Sequence, residues 1–190
     1  FFFLNAGLSA GINNPFFKYP EEIDVIRIPL KGPIADRNSE ISGMAWYRNH
    51  LILLPQYPNR FGARGRGCLF ALSKENILSC LNDVADAELN PTKIEFDSGR
   101  LEDQIVNFEG FESIIFNDDN VYLTVESSPD KMMGYLVSGK IRPDLSRITI
   151  DSTKMTKIKP QADIPNACEE TILVVGNKII TIYEGNGKNV

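Results

Sequence analysis

The sequence predicts an all-β chain of four-stranded antiparallel units with one short helical insertion. One hairpin pattern occurs three times without a gap, at residues 42–56 (SGMAWYRNHLILLPQ), 112–126 (ESIIFNDDNVYLTVE) and 170–184 (ETILVVGNKIITIYE). In each copy a small residue (Gly43, Ser113, Thr171) precedes an apolar run. A polar tip then carries Asn49, Asp119 or Asn177, and a second apolar run ends on Gln56, Glu126 or Glu184. Two more strand-like runs follow each of the first two hairpins, so the hairpin holds the same place in each unit. That is the pattern of radial repetition, and it predicts part of a β-propeller. An antiparallel sandwich with the same strand count is the alternative.

Taken in order, residues 1–12 open on an apolar run ending in small residues, as the remnant of a signal peptide would, which points to export to the periplasm or beyond. A buried strand or anchor is the competing reading. Gly11 stands where a lipidated cysteine would be needed. Residues 21–190 are assigned to the partial propeller. Because the sequence opens without methionine and stops soon after the third hairpin, it is expected to be a fragment of a longer protein.

Residues 23–30 (IDVIRIPL) alternate apolar and polar, which predicts a strand. Residues 21–31 are accordingly assigned as the outer strand of a preceding blade. The blade at 40–98 begins with strands at 43–47 and 51–54, joined by a short polar tip. A loop at 58–67, rich in Gly and Arg, leads to a strand at 68–72. Ser73 then caps a helix whose Ile77, Leu78, Leu81, Val84 and Ala85 share a face, ended by Asn90-Pro91. A strand at 93–96 completes the unit. The blade at 109–160 repeats this order, with strands at 113–116, 121–125, 133–137 and 147–150, and residues 167–190 start a further blade. Trp46, in an innermost strand, is read as core. Cys68, Cys80 and Cys168 lack the spacing of zinc sites and are read as small buried hydrophobes.

The 190 residues are 43% hydrophobic, enough for a substantial core and unlike a disordered chain. A formal net charge of −5 argues against nucleic acid as a partner. No apolar run has the length that spans a bilayer.

The segments 108–126 (FEGFESIIFNDDNVYLTVE) and 166–187 (NACEETILVVGNKIITIYEGNG) resemble the Glu-Gly-containing blades of bacterial propellers. These are the gluconolactonase and regucalcin-like group and the domain described as having phytase-like esterase activity. The resemblance spans roughly residues 39–190 and is carried by a blade motif. It implies a divalent metal at the mouth of the central channel, with a Glu at the start of an inner strand among its ligands. Glu112 is the best match to that ligand and Glu170 the second. Ser42 departs from the pattern, and the family's other ligands have no placed counterpart.

The arrangement of the hairpins supplies its own expectation. The segment entering the first strand and the segment leaving the second lie at one end of each unit. Glu40, Ser42, Glu109, Glu112, Glu169 and Glu170 enter there, and Gln56, Glu126 and Glu184 leave. Converging carboxylates repel unless protonated, paired or bound to a cation, and hard oxygen ligands suit Ca²⁺ or Mg²⁺. Glu112, Glu170, Glu126 and Glu184 are therefore the candidate metal ligands. The competing reading has these glutamates accept backbone hydrogen bonds and fix unit to unit.

Arg60, Arg64 and Arg66 lie at the same end, placed either to hold an anionic ligand such as a phosphate ester or to neutralise the rim. His50, the one histidine, sits at a hairpin tip far from the acids, which disfavours a Ser/His/Asp triad. The expectation is an exported propeller that binds a divalent cation or small molecule without catalysis. A metal-dependent hydrolase of a lactone or phosphate ester and an interaction scaffold are the alternatives.

Overall fold

The three repeats fold as three hairpins, each closed by a two-residue turn whose first residue has positive φ: Arg48 (51°), Asp118 (52°) and Gly176 (61°). Turns of that hand match the twist of the strands they join. The computed structural model describes residues 25–63, 66–82, 88–159, 161, 164 and 167–185. The first unit holds β1 (Ile41–Tyr47), β2 (His50–Pro55), β3 (Gly67–Ser73), α1 (Lys74–Asn82) and β4 (Thr92–Asp97). After α2 (Leu101–Gln104) come β5 (Phe108–Asn117), β6 (Asn120–Ser127), β7 (Met133–Ile141) and β8 (Arg147–Ile158). The third repeat gives β9 (Glu169–Val175) and β10 (Lys178–Tyr183).

Strands β1 to β4 form one antiparallel meander and β5 to β8 a second. A short parallel pairing of β4 with β8 joins them into one sheet, ordered β1-β2-β3-β4-β8-β7-β6-β5. This sheet bends back until its end strands touch. A Cβ built on Gly43 would lie 3.2 Å from Ser113 Cα, and the Tyr47 and Phe116 rings meet at 5.2 Å. The eight strands are therefore nearly closed, while β9 and β10 pair separately and β9 packs on β5 and β6.

Alternate residues of a strand face opposite sides. Ile52, Leu54 and Phe96 of the first meander thus meet Phe111, Leu123 and Val137 of the second in one core. Each such side chain contributes about 1.5–3 kcal/mol on full burial. On the other face of the first meander, Leu51, Leu53 and Phe70 lie under Ile34 and under Ile77 and Cys80 of α1. The tips of the first two hairpins are tied together, with Tyr47 Oη donating to Asp119 Oδ1 at 2.6 Å and Arg48 pairing with the same carboxylate at 3.1 Å.

The all-β class and the helical insertion stand, with particular corrections. Residues 25–29 form no strand, and Leu30 makes only an isolated parallel bridge to Leu89. Pro29 has no N–H to extend a ladder. In α1, Ser73 Oγ accepts from Asn76 N as the cap, but Leu78 is exposed and Cys80 takes the buried place. Leu78 lies about 100° round the helix from Ile77, off the stripe that 77, 80 and 81 share. Val84 and Ala85 lie outside the described residues, as does the signal-like segment 1–12.

Trp46 is exposed while Tyr47 is buried, because Tyr47 and not Trp46 faces the second meander. Cys68, Cys80 and Cys168 are buried and not disulfide-bonded. The helix α2 had no counterpart in the sequence reading.

The register of β7 against β8 shifts between Val137, paired with Met155, and Gly139, paired with Ile150. A Cβ at Gly139 would collide with the Thr149 carbonyl oxygen and lie 2.9 Å from Ile150 Cα, both backbone atoms. Gly139→Ala is expected to cost roughly 1–3 kcal/mol. Denaturant unfolding measures this directly, and an unchanged midpoint would show that the backbone there yields freely.

Candidate functional site

A bulge recurs at one repeat position in all three hairpins. Ser42, Glu112 and Glu170 are the residues skipped when β1 pairs with β2, β5 with β6 and β9 with β10. Glu109 is skipped in a second bulge of β5. An extra residue bends its strand and re-aims its side chain. These bulges lie at the end of the units where the second strands finish, at Gln56, Glu126 and Glu184.

The expected carboxylates are brought together there. Glu112 and Glu126 of the second unit both feel Glu170 and Glu184 of the third, and Glu126 also feels Glu109 and Glu169. Glu112, Glu126 and Glu169 are buried. Burial first, and then repulsion from Glu126, Glu170 and Glu184, pushes Glu112 from 4.5 up to about 7 against the lowering effect of a hydrogen bond from Gln56. Burial and its glutamate neighbours likewise push Glu126 up to about 7. Glu170 is raised by burial and by Glu184.

The same end also holds the units together. Gln56 Nε2 donates to Glu112 Oε1 at 2.9 Å, and the Gln56 carbonyl accepts from Phe111 N at 3.0 Å. Ser42 Oγ donates to the Phe111 carbonyl at 2.5 Å. Across the next seam Thr124 Oγ1 donates to the Glu169 carbonyl at 3.1 Å. Cys168 Sγ donates to Glu169 Oε2 at 3.2 Å, and burial pushes that thiol's pKa up. Gly134 leaves the room, since a Cβ there would strike Glu169 Oε2. Glu112 thus does fix unit to unit, through a side-chain amide and not a backbone N–H.

Among the described residues, no three His, Cys, Asp or Glu side chains are gathered closely enough to hold a metal ion. The oxygens are of the hard type that Ca²⁺ and Mg²⁺ take.

The arginines are spread over different carboxylates. Arg60 donates to Glu40 Oε2 at 2.6 Å and lies 4.1 Å over the Tyr57 ring. Arg66 donates at 2.6 Å to Glu95 on β4, which Arg147 also contacts. Arg64 lies outside the described residues. His50 opens β2 at the tip end, away from the acids.

Beside the acids is a cleft of about 390 Å³, lined by Tyr57, Arg60, Glu102, Asn107, Phe108 and Phe111 among others. Tyr57 feels Glu40, Glu109 and Glu112, and burial raises its pKa. The cleft was not anticipated, because its wall from α2 to Asn107 carries no periodic signal.

The raised carboxylates set a pH dependence. With folded values near 7 and ordinary values of 4.5, the folded chain binds more protons than the unfolded chain between those limits. This contribution to stability falls as pH rises from about 4.5 through about 7, then levels off. Asp144 and Asp151, whose pKa values are lowered by bonds from Ser146 and Thr153, act at more acidic pH. The Glu112→Gln, Glu126→Gln double variant should flatten the decline and be more stable than the parent at pH 8 by roughly 1–2 kcal/mol, after allowance for solvent screening at the rim. Thermal melts from pH 5 to 8 test it, and parallel curves for the two proteins would refute it.

No family model matches the chain, and neither a curated protein nor a solved structure matches it.

Proposed function

We propose that the chain is a stretch of β-propeller whose acidic end binds a divalent cation without catalysis. The observation that carries this is the convergence of Glu112 and Glu126 with Glu170 and Glu184 from the neighbouring unit, with Arg60 and Arg66 engaged on Glu40 and Glu95 instead. A cation would relieve that repulsion. An ion held through its own water shell, a mode Mg²⁺ adopts readily, does not need three side chains gathered as direct ligands.

The radial reading rests on the order of packing, β1 on β5 and β5 on β9, with the bulged position repeated in each. Residues 1–10, apolar and ending in small residues, support placing the protein outside the cytoplasm. Catalysis finds less support. The histidine stands at the opposite end, and the two described arginines expected to steer an anion are paired.

Calorimetric titration with Mg²⁺ and with Ca²⁺ at pH 8 tests the proposal. Binding heat and a raised melting temperature are expected, worth about 2.7 kcal/mol at a hundredfold excess over Kd. The Glu126→Gln, Glu184→Gln variant should lose both. Absence of heat with an unchanged melting temperature for either ion would overturn the reading.

A further inference from the structure

The cleft beside the acids has a volume of about 390 Å³, within the range of small-molecule sites. One wall is residues 57–60, which follow β2; the other is formed between residues 102 and 111, from α2 into β5. Both walls come from the interior of the sequence and flank a seam that the chain itself completes. Phe111 N donates to the Gln56 carbonyl at 3.0 Å, and Asn59 Nδ2 donates to Glu102 Oε1 from one wall to the other. The cleft is therefore shaped by contacts within the chain.

Ile105, Phe108 and Phe111 make part of the lining apolar, and the two phenylalanine rings meet edge to face at 5.4 Å. Two carboxylates border that lining, and their partners differ. Glu40 and the Tyr57 ring together hold the Arg60 guanidinium, 2.6 Å from the carboxylate and 4.1 Å from the ring centre. A carboxylate beside an aromatic face is a unit that recognises a cation. Glu102 and Phe108 bring the same two components to the other wall. The hydrogen bonds of Glu102, however, come from the neutral donors Asn59 and Ser98. Arg100, two residues before it, pairs with Asp103, and Arg60 with Glu40.

The wider field has the same sign, since Glu40, Glu109 and Glu112 all act on Tyr57 and Arg60 alone opposes them. An anion would meet that field with the one arginine of the lining already paired. A hydrated metal ion gains nothing from apolar walls. We propose that the cleft binds a small organic ammonium ion, with its charged end on Glu102 and its apolar body against Phe108 and Phe111. This site uses none of Glu112, Glu126, Glu170 and Glu184, so it stands apart from the divalent-cation reading.

Calorimetric titration of the 190-residue chain at pH 7 with benzylamine, benzyl alcohol and benzoate tests the assignment, because the three probes share one ring and differ in charge. Benzylamine, protonated at that pH, is expected to bind roughly ten- to hundredfold more tightly than the alcohol, as a hydrogen bond to a charged group allows. Benzoate should bind more weakly than either. Glu102→Gln can still bond Asn59 and Ser98, so it should melt as the parent does and bind amine and alcohol alike. Phe108→Ala should weaken both. The Glu126→Gln, Glu184→Gln variant should bind benzylamine as the parent does, whatever becomes of Mg²⁺, so that failure of either reading leaves the other standing. Equal binding of amine and alcohol by the parent, a preference for benzoate, or no binding of any probe would overturn the proposal. Loss of benzylamine from the Glu126→Gln, Glu184→Gln variant would do so as well.

Discussion

Strand β2 sets the constraint on which the rest depends. Leu51, Ile52, Leu53 and Leu54 follow one another without a polar residue, and all four are buried. An antiparallel strand commonly keeps one face in water; this one cannot, because alternation places two leucines on one side and Ile52 and Leu54 on the other. The second meander covers one face, and α1 with Ile34 covers the other. The bending of the eight-stranded sheet toward closure and the position of the helix both follow from that need for cover on two sides.

Stacking hairpins face to face in register brings equivalent residues close, and the bulges decide which ones. Without the extra residue, the side chains at 112 and 170 would alternate with their neighbours into a seam. With it, they gather at the strand ends with Glu126 and Glu184. Packing thereby creates the electrostatic conflict, since apolar seams pull acidic ends together. Burial then raises the energy of their charged forms.

The tripled hairpin was legible because its period, polar tip and terminal acid are local signals, and the gathering of acids at one end followed from hairpin geometry alone. What could not be read depends on partners distant in sequence. Alternation at residues 23–30 looks the same for a paired strand as for an extended segment that packs Ile28 and Leu30 on a core. Bulges at Ser42, Glu112 and Glu170 have no residue signature, because a register slip of one is visible only against the opposite strand. Trp46 was assigned to core on residue type, yet which face of β1 is covered depends on what lies beyond it. Arg66 looked like an anion ligand until Glu95, on the strand paired with the one that Arg66 leads into, came within reach.

The first unit offers an internal comparison for the acids of the other two. At the position of Glu126 and Glu184 it has Gln56, and at the position of Glu112 and Glu170 it has Ser42. Both uncharged residues perform the structural task in full: Gln56 clips onto Glu112 and the backbone of Phe111, and Ser42 bonds the Phe111 carbonyl. A polar side chain that can bond its neighbour is therefore all that the fold requires at these positions. Negative charge on Glu112, Glu126, Glu170 and Glu184 goes beyond that requirement and works against stability near neutral pH. Places where a sequence breaks a local rule at a cost are where function is expected to reside, and it is on this surplus of charge that the proposal of cation binding rests.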